Sequence, residues 1–76
     1  MAENRERVRI EVGFDGGQIM GALVLAEGAD ALERALVAGS EKSLQLDVED
    51  GRYLLRLDRV VYLKRFAREG RVGFGA

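Results

Sequence analysis

Residues Ser43–Leu57, Ser-Leu-Gln-Leu-Asp-Val-Glu-Asp-Gly-Arg-Tyr-Leu-Leu-Arg-Leu, place alternating apolar and polar side chains on both sides of Asp50-Gly51. That pattern admits little other than a β-hairpin. Asp-Gly favours the two-residue type I′ turn, whose central residues take φ > 0 and whose twist matches that of the flanking strands. With Asp50 and Gly51 at the centre, Glu49 faces Arg52, Val48 faces Tyr53, Leu46 faces Leu55 and Leu44 faces Leu57. Every apolar residue of the first strand then meets an apolar partner, and a slip of one residue would turn the whole set to solvent.

Ahead of this hairpin, Arg7–Phe14 alternates Val8, Ile10, Val12 and Phe14 against Arg7, Arg9 and Glu11, the signature of a half-buried strand. Asp15-Gly16-Gly17 is the next turn. A two-residue loop there pairs the apolar face of the first strand with Ile19, Gly21, Leu23 and Leu25 of a second strand, Gln18–Leu25. Met20, Ala22 and Val24 then form a second apolar face that the helix, the C-terminal strand or another subunit must cover. Gly21, at mid-strand, marks a bulge, a bend or a close backbone approach.

Asp30-Ala-Leu-Glu33 has capping-box spacing, which predicts a helix over Ala31–Ala38 with Asp30 as N-cap and Gly39 as the C′ stop. So short a helix must lie on the sheet through Leu32 and Leu36. After Leu57, Asp58-Arg59 breaks the alternation and predicts a kink or single turn before the strand Val60-Val61-Tyr62-Leu63. The expected fold is a single α+β domain over residues 1–76 in ββαββ(β) order, a curved antiparallel sheet or small barrel with one short helix. Residues 1–6 and 71–76 read as flexible or partner-paired tails.

Composition narrows the chemistry. The 76 residues contain no cysteine and no histidine, which excludes disulfides, thiolate or imidazole metal ligands, Cys or His nucleophiles and the commonest general base. A chain this short has a small core, and without disulfide or metal its remaining aid is self-association. Charge is uneven: residues 1–51 carry 5 Lys and Arg against 11 Asp and Glu, a net −6, while residues 52–76 carry 7 against 2, a net +5. Acidic and basic strands lying side by side would neutralise one another. The charged start has no apolar leader core, and no stretch approaches a membrane span, so the expectation is a cytoplasmic protein with no membrane partner.

Asp47, Glu49, Asp50 and Asp58 are the candidate acid–base carboxylates, but Asp47 and Glu49 sit on the outer face of the hairpin beside arginines, where exposed pairing does not raise a pKa into the working range. Ser40 and Ser43 lack an activating histidine. Asp47, Glu49 and Asp50 lack the twelve-residue loop of a Ca²⁺ site. Asp15-Gly-Gly and Gly73-Phe-Gly lack the strand-to-helix context of phosphate loops. A pocket near Leu32, Leu36 and Tyr53 is left open as a small-molecule site. The reading is therefore non-enzymatic, with no cofactor and no metal.

Two binding readings stand. Met20, Val24, Leu54, Phe66, Val72 and Phe74 are more apolar surface than a two-turn helix hides, and they predict a homo-oligomer or a module that binds another protein, through apolar strand faces or edge-strand pairing. The alternative is single-stranded RNA or DNA binding by the basic C-terminal strand, with Arg56, Arg59, Lys64, Arg65, Arg68 and Arg71 on phosphates and Tyr62 and Phe66 on bases. An overall pI near 5.4 opposes this alternative.

The order of strand, Asp15-Gly16 turn, strand with Gly21, Asp50-Gly51 hairpin and Val60-Val61-Tyr62-Leu63 strand is similar in spacing to the Sm-like barrels. That resemblance implies rings that bind RNA and assemble through edge strands. Those barrels begin with a helix, whereas here the helix follows strand two. No residue matches their RNA-contacting motifs, so no functional residue is carried over.

Overall fold

A computed structural model describes residues 6–67. The order is β1 (Arg7–Phe14), β2 (Ile19–Leu25), α1 (Ala26–Ala38), β3 (Ser43–Val48), β4 (Gly51–Arg56), a single 3-10 turn (Leu57–Arg59) and β5 (Val60–Arg65). The strands form two antiparallel sheets, β2-β1-β5 and β3-β4, matching the expected α+β order. The turn expected at Asp58-Arg59 is the 3-10 turn, and the 1–6 and 71–76 tails fall outside the described residues except for Glu6.

One core serves both sheets. Ile10 and Val12 of β1, Val24 of β2, Ala29 and Leu32 of α1, Leu46 and Val48 of β3, Leu55 of β4 and Leu57 form a single buried cluster. The sheets are tied together at their margins. The Glu49 N–H donates to Leu23 O at 3.1 Å, and the Asp15 N–H donates to Arg59 O at 2.9 Å.

The first hairpin differs from expectation by one residue. Ile10 pairs with Ala22, Val12 with Met20 and Val8 with Val24, so the inner face of β2 is Met20, Ala22 and Val24, while Ile19 and Leu23 turn outward. The cause is the loop. Phe14 N–H donates to Gln18 O and Gly17 N–H to Phe14 O, which leaves three residues, Asp15, Gly16 and Gly17, between the paired positions. Gly16 and Gly17 take φ of 91° and 92°, a region that residues with a Cβ rarely adopt, and the odd loop length reverses the side-chain parity of β2.

The second hairpin slides by two residues. Val48 pairs with Gly51, Asp47 with Arg52 and Leu46 with Tyr53, so Glu49 and Asp50 form the turn centre instead of Asp50-Gly51. Positive φ among the described glycines is confined to Gly16, Gly17 and Gly39, and Gly51 is ordinary strand. The Glu49 amide is committed to β2, and this tertiary bond outweighs the local preference of Asp-Gly. An even slide preserves parity, and Leu46, Val48, Leu55 and Leu57 remain buried as the pattern requires.

The helix begins at Ala26, more than a full turn before the expected Ala31, with Leu25 as an N-cap that makes no side-chain bond. Asp30 is therefore inside the helix. Glu27 in the first turn suits the positive end of the helix dipole. Gly39 ends the helix as expected, with φ 69° and its N–H on Ala35 O. Ala29 and Leu32 are its buried stripe, with Ala35 and Leu36 half-buried. Gly28 packs where an added Cβ would lie 3.7 Å from a Leu46 methyl and 3.8 Å from Val24 Cβ, ordinary contact distances.

Two urea-denaturation outcomes follow from this packing. Leu32→Ala, at a fully buried position, is expected to lose about 2–5 kcal/mol of stability, whereas Leu54→Ala stays within about 0.5 kcal/mol. Gly28→Ala is expected to gain up to about 1 kcal/mol, because helix propensity improves and the new methyl meets no close neighbour.

Candidate functional site

Four of the exposed apolar side chains, Ile19, Leu23, Tyr53 and Leu54, border two adjoining grooves of β2 and β4, while Val37 and Val61 line another groove. Ile19 at the start of β2 is 63% exposed and Leu54 of β4 is 69% exposed. With Met20, Phe14 and Tyr53 they line a groove between the β1–β2 loop and β4. Tyr53 also borders the adjoining groove, which Gly21 and Leu23 line from β2. The alternation that buries Leu55 necessarily turns Leu54 out, and the three-residue loop that buries Val24 turns out Ile19 and Leu23. Among the described residues β4 pairs with β3 alone.

The six residues expected to mediate association are distributed differently. Val24 is 0% exposed and belongs to the core, so it is unavailable to a partner. Met20 is half-buried on the inner face of β2 and contributes to the groove wall. Leu54 is at the surface. Phe66 is half-buried between the Arg9 guanidinium, 5.3 Å from the ring centroid, and the Lys64 ammonium, 4.5 Å from it. Val72 and Phe74 lie outside the described residues. Ile19, Leu23 and Tyr53 were missed as surface residues. The signal for Ile19 and Leu23 was the length of the glycine loop.

The basic strand is largely answered by carboxylates. Arg59 contacts Asp15 at 3.2 Å, Arg56 contacts Asp58 at 3.5 Å, and Arg52 contacts Asp47, its cross-strand partner, at 3.2 Å in place of the expected Glu49. Arg65 reaches across to α1, where Asp30 at 3.0 Å and Glu33 at 2.9 Å clasp the same nitrogen. The two residues with capping spacing thus hold a strand arginine instead of the helix start. Both carboxylates hold the Arg65 guanidinium above its already high ordinary pKa. The acidic and basic parts of the chain meet as neighbouring strands and helix, as the charge asymmetry implied. Arg68 and Arg71 lie outside the described residues.

On the outer face of the first sheet, the Tyr62 hydroxyl donates to a Glu11 carboxylate oxygen at 2.5 Å. The Tyr62 ring lies over Gly13, its partner across the strands, so closely that a Cβ at position 13 would fall 2.1 Å from ring atom Cε2. The hydrogen bond to Glu11, with smaller contributions from desolvation and the carboxylate charge, raises the Tyr62 pKa. Because the folded value exceeds the unfolded one, this contribution to stability is complete below the unfolded value of about 10 and is lost as pH rises through the folded value.

Among the described residues no three acidic side chains gather to hold a metal. No helix there is long and apolar enough to cross a membrane. Asp47, Glu49, Asp50 and Asp58 are all exposed, and Glu49 and Asp50 stand side by side on the wall of the groove that Gly21 and Leu23 line. The chain matches no family model, no curated protein and no solved structure, so the spacing similarity to Sm-like barrels stands on element order alone.

Glu11→Gln is expected to lower the Tyr62 phenol pKa toward its ordinary value. Alkaline titration followed near 295 nm checks this on two tyrosines with no tryptophan background. An unchanged high-pH transition would remove Glu11 as the cause.

Proposed function

We propose that this protein is a non-enzymatic assembly module that associates with a second copy of itself through the surface formed by β2 and β4. The observation that carries the reading is the clustering of Ile19, Leu23, Tyr53 and Leu54 around adjoining grooves, with the nearby Arg56 and Arg59 already facing Asp58 and Asp15. A surface that is apolar at its centre, with Arg56 and Arg59 paired at one end, is suited to a self-complementary two-fold contact. The small core gives a reason for association, since burial of this surface adds to a stability that 76 residues supply sparingly. Cysteine-free composition fits a cytoplasmic setting for the same module.

Nucleic-acid binding is the less favoured reading because Arg56, Arg59 and Arg65 face carboxylates and Tyr62 is held by Glu11. Phosphate binding there would first have to displace those partners.

Light scattering coupled to size exclusion tests the proposal. The natural chain is expected to elute at a discrete multiple of 8.4 kDa at low and high salt. Ile19→Asp with Leu54→Asp is expected to give a folded monomer with unchanged circular dichroism, while Arg56→Ala with Arg59→Ala leaves the mass unaltered. A monomeric natural chain, or a 260 nm signal at low salt that vanishes at high salt, would reject assembly in favour of the alternatives.

A further inference from the structure

One row of side chains crosses the outer face of the first sheet at Leu23. Arg9 is the β1 partner of Leu23, so the two share that face, and the Phe66 N–H on Arg9 O extends the row to the end of β5. On the other side of β2 the Glu49 N–H on Leu23 O brings the β3–β4 turn alongside, where Glu49 and Asp50 line the same groove as Arg9 and Leu23. The row therefore reads Phe66, Arg9, Leu23, Glu49. An exposed apolar side chain stands between a cation and an anion.

The two charges flank Leu23 without meeting. Arg9 lies over the Phe66 ring, and among the described residues neither it nor Glu49 nor Asp50 belongs to an ion pair. The other cations of this face, Arg7 and Lys64, are on the Arg9 side of β2, since Arg7 is on β1 and Lys64 on β5. Glu11 is the one carboxylate of β1 on that side, and it accepts the Tyr62 hydroxyl and faces Lys64 across the strands. One bank of β2 is thus predominantly basic and the other acidic, with Leu23 and the side-chain-free Gly21 on the strand between them.

We propose that the second copy docks on this face about a two-fold axis running along β2, so that Leu23 meets the partner's Leu23 and Arg9 meets the partner's Glu49. This rests on association through β2 and β4 and adds the orientation and the residues that select it. A two-fold axis in the plane of a face-to-face contact runs either across β2 or along it. Running across, it sets Arg9 on the partner's Arg9 and Glu49 on the partner's Glu49, opposing like charges at every charged position of the row. Running along, it exchanges the two banks, and each copy's cation faces the other's anion twice over. Arg7 and Lys64 are carried to the side of the partner's Asp50 by the same rotation. Gly21, next on this face after Leu23, leaves the two strands free to approach closely. Apolar contact supplies the affinity, and the charges choose one orientation over the other.

Charge exchange tests this, with the dimer dissociation constant read by sedimentation equilibrium and the fold of each variant by circular dichroism. Arg9→Glu and Glu49→Arg are each expected to weaken the dimer at least about tenfold. An equimolar mixture of the two variants, and the chain carrying both substitutions, are expected to dimerise within about threefold of the natural chain, because every reversed charge again meets its opposite. Arg9→Gln and Glu49→Gln repeat the test without reversal: each is expected to weaken the dimer about threefold, and both together no more than either alone. Single variants as tight as the natural chain, or a mixture that stays monomeric, would overturn this orientation. Assembly itself would still stand in that case if Ile19→Asp with Leu54→Asp gives a monomer, whereas a monomeric natural chain would overturn both.

Discussion

The number of residues between the paired positions Phe14 and Gln18 decides what this molecule has for a core. Three residues, two of them glycines in left-handed conformation, bring Val24 rather than Leu23 under α1. With one residue fewer, Ile19, Leu23 and Leu25 would turn inward and Met20, Ala22 and Val24 outward. The contacts of Leu32 and Gly28 with the inner face of β2, and the docking of the second hairpin on Leu23 O, all presuppose that parity. A side chain at position 16 or 17 would meet no steric neighbour, so the constraint is in the backbone torsion and not in packing.

Charge plays a different part. Individually, exposed pairs such as Arg52–Asp47 add little to stability. Collectively they settle where the basic C-terminal strand can lie: beside Glu11 and Asp15 of the first hairpin and across from Asp30 and Glu33 of the helix. The Arg65 clasp spans strand and helix, and the Arg59–Asp15 pair accompanies a backbone bond from Asp15 N–H to Arg59 O. These two contacts sit where segments distant in sequence come together.

Element order, the Gly39 helix stop, the break at Asp58-Arg59 and the buried face of the central hairpin were all legible, because each rests on local periodicity or on a residue with a single conformational role. What failed had a long-range cause. Asp50-Gly51 reads as a turn centre until the Glu49 amide is seen to bond β2, and Asp30 reads as an N-cap until Arg65 arrives from a strand more than thirty residues away. The association surface was half legible. Leu54 follows from alternation, but Val24 and Ile19 exchange places with a loop length that Asp-Gly-Gly leaves ambiguous. Phe66 read as an exposed aromatic among cations. In the structure Lys64 of that segment and Arg9 of β1 both lie over its ring.

The Tyr62 ring occupies the volume that any side chain at position 13 would need, and its hydroxyl is anchored one step along the same face at Glu11. Positions 11, 13 and 62 therefore behave as one unit of variation. A chain of this fold that carries alanine or larger at 13 has to give up the aromatic at 62 or let it swing clear, and once the ring has moved the carboxylate at 11 has nothing left to hold. Gly13 is in this sense the seat of an aromatic side chain that belongs to a different strand.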